Sequence, residues 1–454
     1  MNRRFALIGL VMALAAAPAT AQRDYYFVPL ALSYTGLSGV ASGYFGGVSD
    51  YFTLLNERDG GIGGVPVAWD ECETEYEPAK GMECYHRHKK DEAGRPALYF
   101  DSLALYFHPL SEGVFPALAA QSRRDRLPVV SVNHGPVESR RGDVFPYQFP
   151  LGAGALDFAH AAILHMGARL GGMEELKGRT IVTLHHGSPY GRAANEFLNS
   201  LGEHHGFRHE AIEVPHPGNE QGSQWLRIRK LKPAFVYLRG WGLMNPAAIQ
   251  TAVRTGYQVA NLIGAEWSNS EEDVIPAGRA AHGYQAAITH RAGADFPLAR
   301  EIIEKLYNRG KGDLDDRSRI GSTYWNLGVW AAAMSAEAVR IAQERFGKEL
   351  TGAMVRWGFE NLNLDDEETQ KLGFADVAPA IRITCMNHAA VQRVRFQEWD
   401  AQERKWTLVS DWVDSDSDFA RRIAGTNAEM YARKHPEFPQ RDCDAEKDRD
   451  AFDL

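Results

Sequence analysis

The chain has no excess of positive charge, no Cys-x-x-Cys pair, no repeat of solenoid period, and little that could cross a membrane. Each lack narrows the function. Net charge is −9, and −11 once Arg3 and Arg4 are discounted, which argues against nucleic acid as a partner and against a basic membrane-surface patch. Without Cys-x-x-Cys, a thiolate metal centre is disfavoured. His86-x-His88, His185-His186 and His204-His205 have no third ligand at fixed spacing. Asp414-x-Asp416-x-Asp418 starts like a calcium loop. Phe419 stands where its glycine belongs and Gly425 where its closing acid belongs, so a helix start is the better reading. Gly36-Leu37-Ser38-Gly39 fails the nucleophile-elbow spacing. No nucleophile–base pair stands out by spacing, so no catalytic residue and no cofactor are expected.

The longest apolar run, Phe5 to Ala17, follows Arg3 and Arg4 and precedes Ala19-Thr20-Ala21. A bilayer needs roughly 20 apolar residues, so this is expected to be an export signal cleaved near Ala21. No Cys follows that site to carry a lipid anchor. The expectation is a free soluble protein in the periplasm. Only four cysteines are present: Cys72, Cys84, Cys385 and Cys443. In an oxidising compartment an even count suggests two disulfides. Four cysteines allow three connectivities, and the pairs that share a sequence region, Cys72–Cys84 and Cys385–Cys443, are favoured.

About 430 residues remain after the leader, more than one compact core accommodates, so two α/β lobes are expected. Strand-like runs alternate with helical ones, as in a parallel sheet covered by helices. Strands are expected at Tyr26 to Leu32, Val65 to Trp69, Pro96 to Phe100 and Leu127 to Val132. The pattern pauses from Phe145 to Pro150, then resumes with strands at Gly178 to Leu184, Ala234 to Leu238, Val259 to Ile263 and Gly283 to Thr289. Helices are expected at Gly113 to Arg124, Asp157 to Arg169, Ala193 to His205, Pro246 to Thr255, Pro297 to Asn308 and Thr323 to Phe346. The last of these is apolar or small on nearly every side and should be buried. Antiparallel strands at Ala380 to Thr384, Val391 to Asp400 and Lys405 to Val413 precede a helical tail, Phe419 to Lys434.

The ordered set of segments carries a resemblance. It comprises the export signal, a strand leading into a Ser33-Tyr34-Thr35-Gly36 loop and a long helix, Asn56 to Gly64, and Phe107-His108-Pro109-Leu110-Ser111. It continues with Asp143-Val144-Phe145-Pro146-Tyr147, Ser188-Pro189-Tyr190-Gly191, His216 to Gln221, and Trp267 to Val274. Together they resemble the type I periplasmic solute-binding proteins of ABC importers, in the branched-chain amino acid (Leu/Ile/Val) receptor group with its amide- and urea-binding relatives. The resemblance spans about Tyr25 to Trp412. It implies two doubly wound parallel-sheet lobes joined by three crossing hinge segments, with ligand held between them. The implied division is 22–150 plus 289–380 for lobe 1, 151–288 plus 381–415 for lobe 2, and 416–454 as the tail.

The resemblance also implies the site. Lobe 1 would supply Tyr34, Phe107, Ser111, Asn133 and His134; lobe 2 would supply Tyr190, Trp241, Glu266 and Trp267. Ser111 would bind a ligand oxygen or cap a helix. His134 would touch ligand or hold its loop. Gly135 stands where the amino acid receptors carry a threonine for the ligand carboxylate, which weakens a plain branched-chain amino acid as ligand. Glu266 matches the acid that pairs with a ligand ammonium, and a solvated loop carboxylate is its other reading. Trp241 would face the cleft or pack the lobe; Tyr324 and Trp325 are expected in the core. The rings suit an apolar, aromatic or cationic ligand body. The implied partners are a small-molecule solute and the membrane permease of an ABC importer, with a monomer expected; a sensor presenting its closed form to a membrane receptor is the alternative.

Overall fold

A computed structural model describes residues 26–32, 34–88 and 106–446. The leader and the expected strand at Pro96 to Phe100 lie outside the described residues. Among those residues, no helix is long and apolar enough to cross a membrane.

Two sheets organise the chain. In the first, β1 (Tyr26–Leu32) lies between β2 (Val67–Glu73) and β3 (His108–Pro109), all parallel. Phe107 bridges to Val129 and so attaches β4 (Val129–Val132), which pairs with β5 (Gln148–Leu151). The order is β2-β1-β3-β4-β5. The second sheet repeats it with β6 (Thr180–His186), β7 (Arg208–Val214), β8 (Phe235–Arg239), β9 (Leu262–Gly264) and β10 (Gln285–Ile288), in the order β7-β6-β8-β9-β10. Two further strands extend its edge: Arg393–Asp400 runs antiparallel to β10, and Lys405–Leu408 pairs antiparallel with Arg393–Asp400. This doubly wound order reverses direction at the first and third strands of each lobe, where ligands of open parallel sheets bind. The chain crosses between the lobes after β5, after β10 and before Arg393.

The first lobe is built on two long helices. Tyr34–Asp59 packs along Thr323–Phe346, and the approach is close because glycines meet backbone. A Cβ on Gly328 would stand 1.9 Å from the Tyr44 carbonyl oxygen, and one on Gly47 would stand 2.2 Å from that of Trp325. Ser322 starts the second helix, its Oγ accepting the Trp325 N–H at 3.3 Å. Tyr324 and Trp325 are buried, as expected, and the Trp325 indole donates to Asp50 at 2.8 Å.

Several expectations are corrected. The Ser33 to Gly36 loop is largely helix, because the first helix begins at Tyr34; packing against its partner outweighs the weak propensity of Thr35, Gly36 and Ser38. The pause at Phe145 to Pro150 contains β5. The expected helix at Gly113 to Arg124 is two segments, Val114–Ala117 and Ala119–Asp125. Strand β7 and the helix Gly222–Leu231 had no counterpart in the sequence reading.

Both favoured disulfides form, Cys72–Cys84 and Cys385–Cys443. The second ties the tail to the third crossing. The tail helix, Asp418–Lys434, bridges both lobes: Ala420 packs in the second lobe's core, and Ala428 packs with Ala119, Val144 and Phe145. Beyond it, Arg441 pairs with Glu360 at 2.6 Å. Its start bears out the helix reading of the acidic run, with Asp416 and Asp418 both paired to Arg421.

Candidate ligand cleft

Loops at the strand ends of both lobes meet around a cavity of about 30 Å³. From the first lobe come Val40 on the long helix, Tyr76 after β2, Leu110, Ser111 and Glu112 after β3, and His134 after β4. From the second come Tyr190 after β6, Trp241 after β8 and Trp267 after β9. The lobes touch there: Tyr76 lies 5.1 Å from Trp241 and His134 lies 6.2 Å from Trp267, ring centre to ring centre. The space is too small for an organic solute. A solute therefore enters only when the lobes swing apart about the crossings, a hinge movement.

The polar groups around it are short of partners. His134 Nδ1 lies 2.8 Å from the Val132 carbonyl oxygen, so Nδ1 carries the proton and Nε2 is an acceptor. Nε2 is buried without a partner, as are the Tyr190 hydroxyl and the Trp241 indole N–H. Burial holds the His134 imidazole down at about 4, neutral at working pH. Glu112 Oε2 accepts the Gly135 N–H at 3.0 Å, while burial pushes its carboxyl up to about 7. Ser111 Oγ accepts the Val114 N–H at 3.4 Å, which leaves its own proton to give. Buried polar groups without partners carry a desolvation penalty that a bound solute can relieve.

Glu266 is engaged elsewhere. Its side chain and that of Arg239 are both fully covered, with Oε2 accepting from Nη1 at 3.1 Å. Oε1 lies 3.0 Å from Nη2, within ion-pair range but off the hydrogen-bond direction. Arg239 also donates to the Tyr190 carbonyl at 3.1 Å and lies over the Tyr190 ring, 4.6 Å from its centre. Burial raises the Glu266 carboxyl and the arginine opposes that rise.

Of the residues expected from the sequence, Ser111, His134, Tyr190, Trp241 and Trp267 share the cavity wall. Glu266 sits behind Tyr190. Phe107 is core, stacked edge-on to Tyr85 at 5.2 Å, and Asn133 turns toward the second crossing, 3.4 Å from Thr289 Oγ1. The Tyr34 side chain lies outside the described residues. Tyr76, Glu112 and Arg239 were not anticipated. Arg239 had a visible signal, a charge ending an otherwise apolar strand. Tyr76 had none, and it adopts left-handed backbone (φ 63°), a conformation found where a loop is held for function.

The lobes also meet beside the crossings. Glu272 of the second lobe pairs with Arg319 of the first at 2.7 Å, Glu271 accepts the Thr323 N–H at 3.0 Å, and Asp273 accepts the Tyr324 hydroxyl at 2.7 Å. A larger chamber of about 730 Å³ lies beside the cleft. It shares Glu112 and His134 with the small cavity but is walled by the first crossing and the tail helix. Strand-end loops after β4, β5 and β6 line it too, with Arg140 and Arg422, whereas Tyr76, Tyr190, Trp241 and Trp267 line only the smaller cavity.

A family model described as periplasmic binding protein matches residues 27–404. The chain belongs to that family. This binding protein is thus a solute receptor by descent, and its family consists of binding proteins rather than enzymes. It is similar to a structure from the Pseudomonas fluorescens group described as an ABC transporter permease, with 37% identity, 92% of this chain and 99% of that chain covered, and a TM-score of 0.83. It also resembles a branched-chain amino acid ABC transporter protein from Thermus thermophilus with bound valine (21% identity, 88% and 98% covered, TM-score 0.69). A solute-binding protein from R. palustris in complex with benzoate is similar as well (17% identity, 85% and 96% covered, TM-score 0.65). No curated protein matches the chain.

Proposed function

We propose that the binding protein captures a small polar organic solute, of the amino acid, amide or aromatic acid class, in the ring-lined cleft and delivers it, as a periplasmic monomer, to the permease of an ABC importer. The observation that carries this reading is the convergence of both lobes on one cavity whose wall holds buried, partnerless polar atoms on His134, Tyr190 and Trp241. We assign residues 22–150 and 289–380 to lobe 1, residues 151–288 and 381–415 to lobe 2, and 416–454 to the tail. Similar folds hold valine and benzoate, which supports a small solute with an apolar body. The test is a melting screen of the protein against amino acids, amides and aromatic acids. A ligand at a hundred times its Kd adds about 2.7 kcal/mol of stability. A rise in Tm confined to one chemical class supports the reading, and no rise with any solute counts against it.

A further inference from the structure

Glu266 is occupied by Arg239, so the charge that would meet a ligand ammonium in the expected site is already neutralised. The cavity wall itself carries one formal charge, Glu112, and among the described residues no Lys or Arg lines it. Four rings complete it: Tyr76, Tyr190, Trp241 and Trp267. Rings around a carboxylate are the chemistry of a cage for an organic cation, since each ring face is electronegative. His134 lines the same cavity, and its Nε2 is a buried, partnerless acceptor fixed by its tautomer. Carboxylate and imidazole nitrogen together present two acceptors for N–H groups. A ligand carboxylate would find no cation on the wall.

We propose that Glu112 is the anchor for a cationic N–H group of the solute, with His134 Nε2 on the same wall as a second acceptor, and that the solute is an organic amine or amidine rather than a carboxylic acid. This assignment rests on the receptor reading above and replaces the ligand classes named there with a cationic one. The rings hold the body of the cation, Ser111 and the Trp241 N–H serve its remaining polar atoms, and Glu266 keeps a structural role with Arg239.

Matched pairs sharing one hydrocarbon body test it: 3-methylbutylamine against 4-methylpentanoate, phenethylamine against 3-phenylpropanoate, and benzamidine against benzoate. L-leucine and L-valine complete the panel. Titration calorimetry at pH 8 reads affinity, and quenching of Trp241 and Trp267 fluorescence reads cleft occupancy. At least one amine or amidine should bind a hundredfold or more tighter than its matched acid. Glu112→Gln should weaken that binding about ten- to a hundredfold, the range for hydrogen bonds to charged groups. Glu112→Asp, which keeps the charge, should recover part of it, and a melting curve of each variant confirms folding. Preference for the acids, or unchanged affinity in folded Glu112→Gln, overturns the assignment while leaving a receptor. Silence from every amine also overturns it, and silence from the whole panel counts against the receptor reading too.

Discussion

Removing Arg239 while keeping Glu266 should be among the most destabilising single changes in the protein. Both side chains are fully covered, and the guanidinium nitrogens stand 3.0 and 3.1 Å from the two carboxylate oxygens. At an effective dielectric near 20, charges about 4 Å apart attract by about 4 kcal/mol. Arg239→Met leaves the carboxylate with no counter-charge, and breaking a buried pair costs about 3–5 kcal/mol. Glu266→Leu strands the arginine at a similar cost. The double variant Arg239→Met/Glu266→Leu leaves neither charge and should regain most of the loss, since apolar replacement of a buried pair is near neutral. Urea midpoints of the four proteins supply the cycle, with a coupling of about 3 kcal/mol expected. Strictly additive losses, or a single variant within 1 kcal/mol of the parent, would falsify the view that the two groups form one closed unit. The solute panel should also separate the roles: Arg239→Met loosens the Tyr190 carbonyl it holds and so weakens binding through the loop.

Opening the disulfides should cost stability that grows slowly, as the logarithm of the loop length, with the chain they close. Cys72→Ser/Cys84→Ser, with a separation of 12 residues, should lose about 3 kcal/mol, and Cys385→Ser/Cys443→Ser, with a separation of 58, about 4 kcal/mol, read as shifts in denaturation midpoint. Gly328→Ala forces a methyl against the Tyr44 carbonyl and should lower stability by about 1–3 kcal/mol or more; a Tm equal to the parent's would contradict the close helix packing. Burial raises the Glu271 carboxyl to about 7, assisted by Glu272 and opposed by the Thr323 N–H and Ser270. A carboxyl raised on folding favours the folded form below its unfolded pKa, and that benefit is lost as pH climbs to about 7. Glu271→Gln should therefore flatten the fall in stability between pH 4.5 and 7 and leave the protein more stable than the parent at pH 8, by on the order of 2 kcal/mol. Arg319→Ala removes the interlobe pair with Glu272 and should leave the cleft more open without a ligand, seen as a larger radius of gyration in solution scattering.

Much of this architecture is legible in the sequence because burial imposes pattern. The helix Thr323–Phe346 begins at a capping serine and is small or apolar on nearly all sides, so its bounds are readable. Strands β1, β6 and β8 are buried along almost their whole length and read as apolar runs. Strand β7 escapes because it is an edge: Arg208, Glu210 and Glu213 keep it polar, and its alternation holds only from Ala211 to Val214. Strand β5 escapes because Pro150 disguises it. The site is half legible for a similar reason. Ser111, Tyr190, Trp241 and Trp267 follow strands, and strand-end loops of a doubly wound sheet are where ligands bind. Pairing is not legible. Nothing local distinguishes a glutamate facing a cavity from one facing an arginine 27 residues earlier, so Glu266 was readable as a ligand anchor and Glu112 was not readable at all.

The most direct test is a crystal structure of the protein with a solute from the melting screen. That solute should sit between the lobes, touching Ser111 and Glu112 on one side and Tyr190 and Trp241 on the other. A solute found only in the larger chamber beneath the tail helix, with the ring-lined cleft shut, would contradict this placement.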